Sequence, residues 1–372
     1  MPKRIFCTVT NDLNYDQRMI RICTSLAAAG FDVTLVGRRT KASLPLTSRP
    51  FGQRRLRLLF SKGKLFYLEY NLRLFFFLLV QKADAVCAID LDTILPCYFA
   101  SRLRRIQRVY DAHELFCEMQ EVVTRPAIYK IWKAVERYCV PRFPYGYTVN
   151  EPIAAEFKEM YGVDYAVIRN LPRLEEPPGP SGHRAAAISL PAGRFILYQG
   201  AVGEGRCFET LIPAMALVDA TLVVCGDGNY MAQAQALVKQ HGLQDKVLFK
   251  GWVLPDDLKQ ITHSAWCGIT LFDRRGKSNY FSLANRFFDY IQAGIPQLGV
   301  SYPAYKEINN WRPIAVLISE PGIREIADGL NQLLNNTDLY YTLVDNCKQA
   351  RLRYNWQEEE KGLIRFYQQI LG

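Results

Sequence analysis

Short apolar runs alternate along this chain with longer stretches whose apolar positions recur at helical spacing. Residues 4–10 form the first such run, which ends at Asn11 and Asp12. Asp16 stands where a helix N-cap belongs, ahead of Met19, Ile22, Cys23 and Leu26, and Gly30 stands where that helix stops. Residues 31–37 read as a second strand. This strand–helix–strand opening continues with predicted strands at 85–89, 108–111, 147–149 and 165–168. Helical patterns fall between them, around 65–82, 93–105, 126–140 and 152–161. Parallel strands with helical crossovers are the simplest packing of that order.

The rhythm breaks at 171–193, where prolines and glycines such as Pro172, Pro177, Pro178 and Gly179 mark a linker or an exposed loop. A second alternation begins at Arg194. Its strands are predicted at 195–199, 221–225, 247–249, 266–270, 297–300 and 314–318. Its helices are predicted near 207–217, 229–241, 255–262, 285–293 and 322–335, with two more at 338–353 and 357–370. The fold class expected is therefore α/β, with two doubly wound, Rossmann-like parallel-sheet domains at 1–170 and 194–350. Ligands in open parallel sheets sit at the carboxyl ends of the strands, so facing halves would form a cleft.

Composition changes this picture in three places. The length of 372 residues suits two domains, and 49% hydrophobic with 22% charged residues argues against extensive disorder. The net charge of +10 is uneven: residues 1–150 hold 24 Lys and Arg against 12 Asp and Glu, and the remainder is slightly acidic. A basic half calls for a phosphate-bearing substrate, an anionic lipid surface or nucleic acid. The ten cysteines form no C-x-x-C pair and sit mostly in apolar runs, so they read as core residues of a protein from a reducing, cytoplasmic compartment. The N-terminus lacks the apolar core of a secretory signal, and the most apolar stretch, 72–80, is too short to span a bilayer.

The candidate chemistry is clearest in the second half. The strand at 195–199 runs into Gly200, Ala201, Val202, Gly203, Glu204, Gly205 and Arg206 before a helix. Such a turn lets backbone amides approach a phosphate, and Arg206 adds a charge-assisted donor. The alternative is a tight turn with a surface arginine. The next strand ends in another glycine turn, Gly226-Asp227-Gly228. Asn285, Arg286 and Asp289 open a later helix and share a face. There Arg286 would meet a diphosphate, and Asp289 would accept ribose hydroxyls. A plain Arg286–Asp289 surface pair fits the same spacing. In the first half, His113 ends a strand, following Asp111, and Asp90 and Asp92 end the strand before it. His113 is either a cleft residue or a structural one, and Asp92 is expected to cap the helix at 93 rather than to hold a metal.

Taken in order, DQRMIRICTSLAAAGFDVTLVGR, YDAHELF, VNEPIAAEFKEMYG with VIRNLP, YQGAVGEGRCFETLIPA and ANRFFDYIQAGIP resemble the bacterial retaining family-4 glycosyltransferases of the GT-B fold over nearly the whole chain. The resemblance implies a second domain that binds a nucleotide-sugar donor and a first domain that binds the acceptor, with residues 351–372 crossing back to the first. It implies that Gly203, Gly205 and Arg206 meet the donor phosphates, with Gly226 beside them. Asp289 matches the ribose-binding acid of the family's acidic pair, and His113 matches the histidine that contacts the donor sugar. Phe281 stands where the first acid of that pair would be, and Ala201 replaces the family's usual arginine. Backbone amides at Phe281, Ser282 and Leu283 would then take over the sugar contacts, and Arg206 with Arg286 would hold the diphosphate. Asn11, Asp12 and Asp90 fall on the acceptor side.

The expected activity is transfer of a sugar from a nucleoside-diphosphate sugar to a glycan or lipid-linked acceptor, with retention and in polysaccharide biosynthesis. The sugar nucleotide is a co-substrate, and no cofactor or metal is expected. Two readings compete: a sugar-nucleotide epimerase or phosphorylase, and a GT-B-like subunit that has lost catalysis. The basic cluster Arg49, Arg54, Arg55, Arg57, Lys62 and Lys64 suggests peripheral docking on an anionic inner-membrane face, against the alternative of a solvated basic loop before a buried helix. Nucleic acid is not expected, because no exposed aromatics interleave with the basic residues in a recognisable module.

Overall fold

A computed structural model of the chain describes residues 1–14, 16–41, 43–176 and 190–372. Most of the expected linker, from Pro177 to Ser189, lies outside the described residues. The chain divides into two compact units, Met1–Asn170 with Glu358–Gly372, and Leu171–Gln357.

The first unit runs β1 (Arg4–Thr8), α1 (Gln17–Ala28), β2 (Asp32–Arg39), β3 (Gly52–Arg57), α2 (Gly63–Val80), β4 (Ala85–Ile89), α3 (Ile94–Arg104) and β5 (Gln107–Ala112). It continues with α4 (Gln120–Val123), α5 (Pro126–Cys139), β6 (Tyr145–Thr148), α6 (Glu151–Tyr161) and β7 (Ala166–Val167). Its seven strands lie in the order β3-β2-β1-β4-β5-β6-β7, all parallel. The order reverses between β1 and β4, the place where open sheets of this kind bind ligands. Asp16 caps α1 as expected, accepting from the Met19 amide at 3.0 Å. Central strands such as β4 are buried along their whole length, as parallel strands covered on both faces must be.

The alternative of a solvated basic loop before a buried helix fails in both its parts. The basic stretch after residue 49 is not a loop: residues 52–57 form β3, a sheet edge beside β2. Edge strands need no continuous apolar run, and charged side chains there discourage pairing with other chains. Helix α2 is only half a core helix. Phe66, Tyr70, Leu74 and Leu78 are buried, whereas Leu65, Leu68, Leu72, Phe76 and Val80 are exposed. No helix among the described residues is long and apolar enough to cross a membrane.

The second unit runs β8 (Phe195–Gln199), α7 (Phe208–Ala214), β9 (Thr221–Cys225), α8 (Met231–Gln240), β10 (Val247–Gly251), α9 (Pro255–Ser264) and β11 (Cys267–Thr270). It continues with α10 (Lys277–Phe281), α11 (Asn285–Ala293), β12 (Gln297–Val300), α12 (Pro303–Trp311), β13 (Ala315–Ile318), α13 (Ile323–Asn335) and α14 (Thr337–Arg353). The six parallel strands lie in the order β10-β9-β8-β11-β12-β13, which repeats the arrangement of the first sheet. The last helix, α15 (Trp356–Leu371), starts in this unit and belongs to the first from Glu358 on. All ten cysteines are buried and free of disulfides, which matches their reading as core residues.

Candidate functional site

In the second unit, two glycine turns at the strand ends interlock backbone against backbone. The Gly200 amide donates to Cys225 O at 2.9 Å, and the Val202 amide to Asp227 O at 3.0 Å. A side chain at Gly226, where φ is +149°, would begin 1.8 Å from Gly200 O. One at Gly228 would begin 2.3 Å from Val202 O. Gly226 therefore lets the two turns touch. Gly205 (φ +76°) brings its carbonyl to the Asp273 amide at 3.0 Å. Gly203 is under no such constraint, since the nearest atom to a Cβ there is Asn229 Oδ1 at 3.5 Å.

The arginines converge. The Arg206 guanidinium lies 4.3 Å from the ring centre of Phe272, and that of Arg286 lies 5.1 Å from the same ring and 4.5 Å from Tyr198. Arg286 is 8% exposed and donates from Nη1 to Gln199 O at 2.8 Å. Among the described residues it forms no ion pair, and its Nε has no hydrogen-bond partner. The surface pair with Asp289 is thus not what forms. Asp289 instead accepts from Gln199 Nε2 at 2.9 Å, while Gln199 Oε1 accepts from Thr262 at 2.8 Å. Gln199 joins Arg286 to Asp289 through one buried residue. A buried cation without a carboxylate is costly unless an anion joins it, and this one sits at the strand edge with the glycine turns.

Phe281 ends α10, and Ser282, Leu283 and Ala284 form the extended link to α11. Ser282 Oγ donates to Asn279 O at 2.8 Å, and the Ala284 amide to the Tyr305 hydroxyl at 3.0 Å. Asn285 opens α11 and is exposed. Sequence reading missed α10, Gln199, Phe272 and Tyr305. Apolar and amide side chains carry no signal of their own, and only the position of Phe272 just past β11 hinted at a strand-end role.

In the first unit, Asn11, Asp12, Asp90 and His113 follow the carboxyl ends of β1, β4 and β5 on one sheet edge. Asp90 adopts φ 56°, a conformation L residues rarely take. Its Oδ1 accepts the His113 amide at 3.1 Å, and its Oδ2 lies 3.2 Å from His113 Nδ1. His113 Nε2 is 3.4 Å from Asp111 Oδ2, an ion-pair distance without hydrogen-bond alignment. Buried Asp111 is held by Arg18 at 2.8 Å. Burial opposes the charge on His113, but Asp90 and Asp111 outweigh it and raise its pKa well above the usual value. Burial also opposes the charge on Asp111, yet Arg18 and His113 keep its pKa low.

Asp92 does not cap the helix at 93. No side-chain cap bond forms there, and Asp92 instead accepts from Thr10 Oγ1 at 2.5 Å. Burial, then the nearby Asp90, push the Asp92 carboxyl up to about 7. Asp12 is engaged in holding the following segment: it pairs with Arg55 at 2.5 Å and accepts from Ser43 and from the Asn14 amide at 3.1 Å. Burial would raise its pKa, but these donors lower it. Asn11 is exposed, and its carbonyl accepts from the Arg38 amide at 3.2 Å.

Two Rossmann-like parallel-sheet units with strand-end glycine turns define the class of GT-B glycosyltransferases. The sequence model "Glycosyl transferases group 1" matches residues 189–350, and "Glycosyltransferase Family 4" matches residues 17–173. Across both halves, the chain belongs to the group 1 and family 4 glycosyltransferases. An uncharacterized glycosyltransferase of Methanocaldococcus jannaschii is 25% identical over 179 residues, covering 47% of this chain and 44% of that protein. The match thus takes in less than half of that relative's length. Among solved structures, sucrose-phosphate synthase from Thermosynechococcus elongatus superposes with a TM-score of 0.80 at 16% identity, covering 99% of each chain. Anabaena HepE in complex with UDP and glucose gives 0.76 at 13% identity, covering 99% of this chain and 100% of that one. At these identities the likeness speaks for the fold.

Proposed function

We propose that this glycosyltransferase moves a sugar from a nucleoside-diphosphate sugar to a glycan or lipid-linked acceptor, with retention at the anomeric carbon. The observation that carries the reading is Arg286, a buried cation without a carboxylate partner, meeting Arg206 over Phe272 beside the interlocked glycine turns. A leaving nucleoside diphosphate gains negative charge as the bond to C1 breaks. Two guanidiniums fixed in advance and the amides of the glycine turn stabilise that charge without reorganising. The acceptor oxygen forms its bond to C1 on the face the phosphate leaves, and its proton passes to the departing phosphate oxygen. No metal is needed in this scheme, because the arginines supply the positive charge.

Asp289, oriented by Gln199, is assigned to the ribose hydroxyls, and the backbone at 281–283 to the sugar. His113, kept cationic by Asp90 and Asp111, is assigned to stabilising the reacting centre. The HepE structure holds UDP and glucose, which makes UDP the first nucleotide to test. The same reading places the protein in bacterial polysaccharide biosynthesis, on the cytoplasmic side, with peripheral contact to an anionic membrane that carries the acceptor. Its support is the basic first half of the chain.

The test is calorimetric binding of UDP and GDP to wild type, Arg286→Ala and Asp289→Ala. Weaker binding in both variants is expected. Unchanged affinity for both nucleotides in both variants would sink the site assignment.

A further inference from the structure

Helix α2 is apolar on two opposite faces. Phe66, Tyr70, Leu74 and Leu78 recur every four residues and are buried. Leu68, Leu72, Phe76 and Val80 recur every four residues on the other side and face solvent, with exposures of 59%, 50%, 62% and 77%. A helix that is apolar all round is normally covered on both sides. Beside it, α3 turns Phe99 and Leu103 outward, one turn apart and 43% and 67% exposed. Between the helices lies a groove of about 450 Å³ lined by Leu68, Leu72, Phe75, Leu95 and Phe99, with Arg102 at its rim. Single exposed leucines are ordinary; a contiguous apolar groove between two helices marks an interaction site.

Charge identifies the occupant. Lys62, Lys64, Arg73, Arg102 and Arg105 are all exposed on or next to these helices. The only carboxylate on α2 and α3 is Glu69, and it is occupied by the Leu59 and Phe60 amides and by Arg73 at 2.8 Å. We infer that the outward face of α2 and α3 docks on an anionic phospholipid bilayer, with Leu72, Phe76 and Phe99 entering the acyl layer and the surrounding lysines and arginines meeting headgroup phosphates. This rests on the peripheral membrane contact proposed above and gives that contact its surface. Charged residues at 64, 69 and 73 interrupt α2, so it lies along the bilayer rather than through it. The geometry is that of an interfacial helix, whose affinity grows with buried apolar area and with attraction to anionic lipid.

The experiment is flotation of the full chain with phosphatidylcholine vesicles, with and without phosphatidylglycerol, at low and high salt. Wild type floats with the mixed vesicles at low salt and far less with the neutral ones. Leu72→Ser, Phe76→Ser and Phe99→Ser combined lower the partition coefficient by roughly tenfold or more, with melting temperature and UDP affinity unchanged. Lys62→Ala, Lys64→Ala and Arg105→Ala combined remove most of the salt-sensitive part. If the serine variant floats as well as wild type, this face is not the dock, although membrane contact stands. If wild type does not float, both proposals fall. If light scattering shows a wild-type dimer that the serine variant turns into monomers, and neither binds vesicles, a second copy covers the face and the inference is overturned.

Discussion

Asp90 grips His113 at two points, taking its backbone N–H at 3.1 Å and facing its Nδ1 at 3.2 Å. The carboxylate fixes where the imidazole sits and favours its charged form. Asp90 adopts a left-handed φ of 56° while doing so, a conformation maintained only where the surroundings hold it.

Asp90→Asn is therefore expected to lower the His113 pKa, since it removes the first of the two carboxylates that raise it against burial. A histidine whose folded pKa is raised contributes stability that is complete below its unfolded value of about 6.5 and is lost as pH rises through the folded value. In the variant that contribution is smaller and its loss is complete at a lower pH. Imidazole titration by NMR checks the shift, and an unchanged His113 curve would show that Asp90 is not its source.

Gly226 and Gly203 sit in similar turns but differ in what surrounds them. Gly226→Ala forces a Cβ to within 1.8 Å of a backbone oxygen that cannot swing aside. A loss of more than about 3 kcal/mol is expected. Gly203→Ala meets nothing closer than 3.5 Å and is expected to cost less than about 1 kcal/mol. Thermal unfolding of the two variants separates them. Equal losses would contradict the interlock.

That contrast also shows how far the sequence could be read. Strands with continuous apolar runs, such as β8 and β9, were legible because both faces are buried. Helix α11 was legible to the residue, because Gly294 takes the left-handed C-terminal position with Pro296 just beyond. Strand β3, GQRRLR, was not, because an edge strand facing water needs no apolar pattern. Arg206, Arg286 and Asp289 could be proposed from spacing. That they meet through Gln199 and Phe272 could not, since the two bonds made by Gln199 join residues 87 and 90 positions apart and the shared ring of Phe272 lies outside both motifs.

Phe272 carries the next prediction. Its ring lies under both guanidiniums, and each such contact contributes about 0.5–2 kcal/mol when shielded from water. Phe272→Leu keeps the site apolar while removing the ring face. UDP affinity is expected to fall about tenfold, corresponding to about 1.4 kcal/mol, with the fold retained. Calorimetry alongside a melting curve checks this. Unchanged affinity would mean that the arginines are positioned by Gln199 and Tyr198 alone.

The Arg18–Asp111 pair behind His113 is buried on both sides, with 5% and 0% of each side chain exposed. Removing Arg18 leaves the buried Asp111 carboxylate with only His113, 3.4 Å away and not aligned for a hydrogen bond, so Arg18→Met is expected to cost about 3–5 kcal/mol at neutral pH. Asp111 has a lowered pKa in the folded state. Its contribution is therefore present above the unfolded value of about 3.9 and is lost as pH falls through the folded value. Without Arg18 the carboxyl can take up a proton at higher pH and escape the penalty, so the gap between wild type and variant should narrow on acidification. Urea unfolding at neutral and acid pH measures that gap. A gap that stays constant would show that the cost of Arg18→Met comes from lost packing around the side chain rather than from the stranded carboxylate.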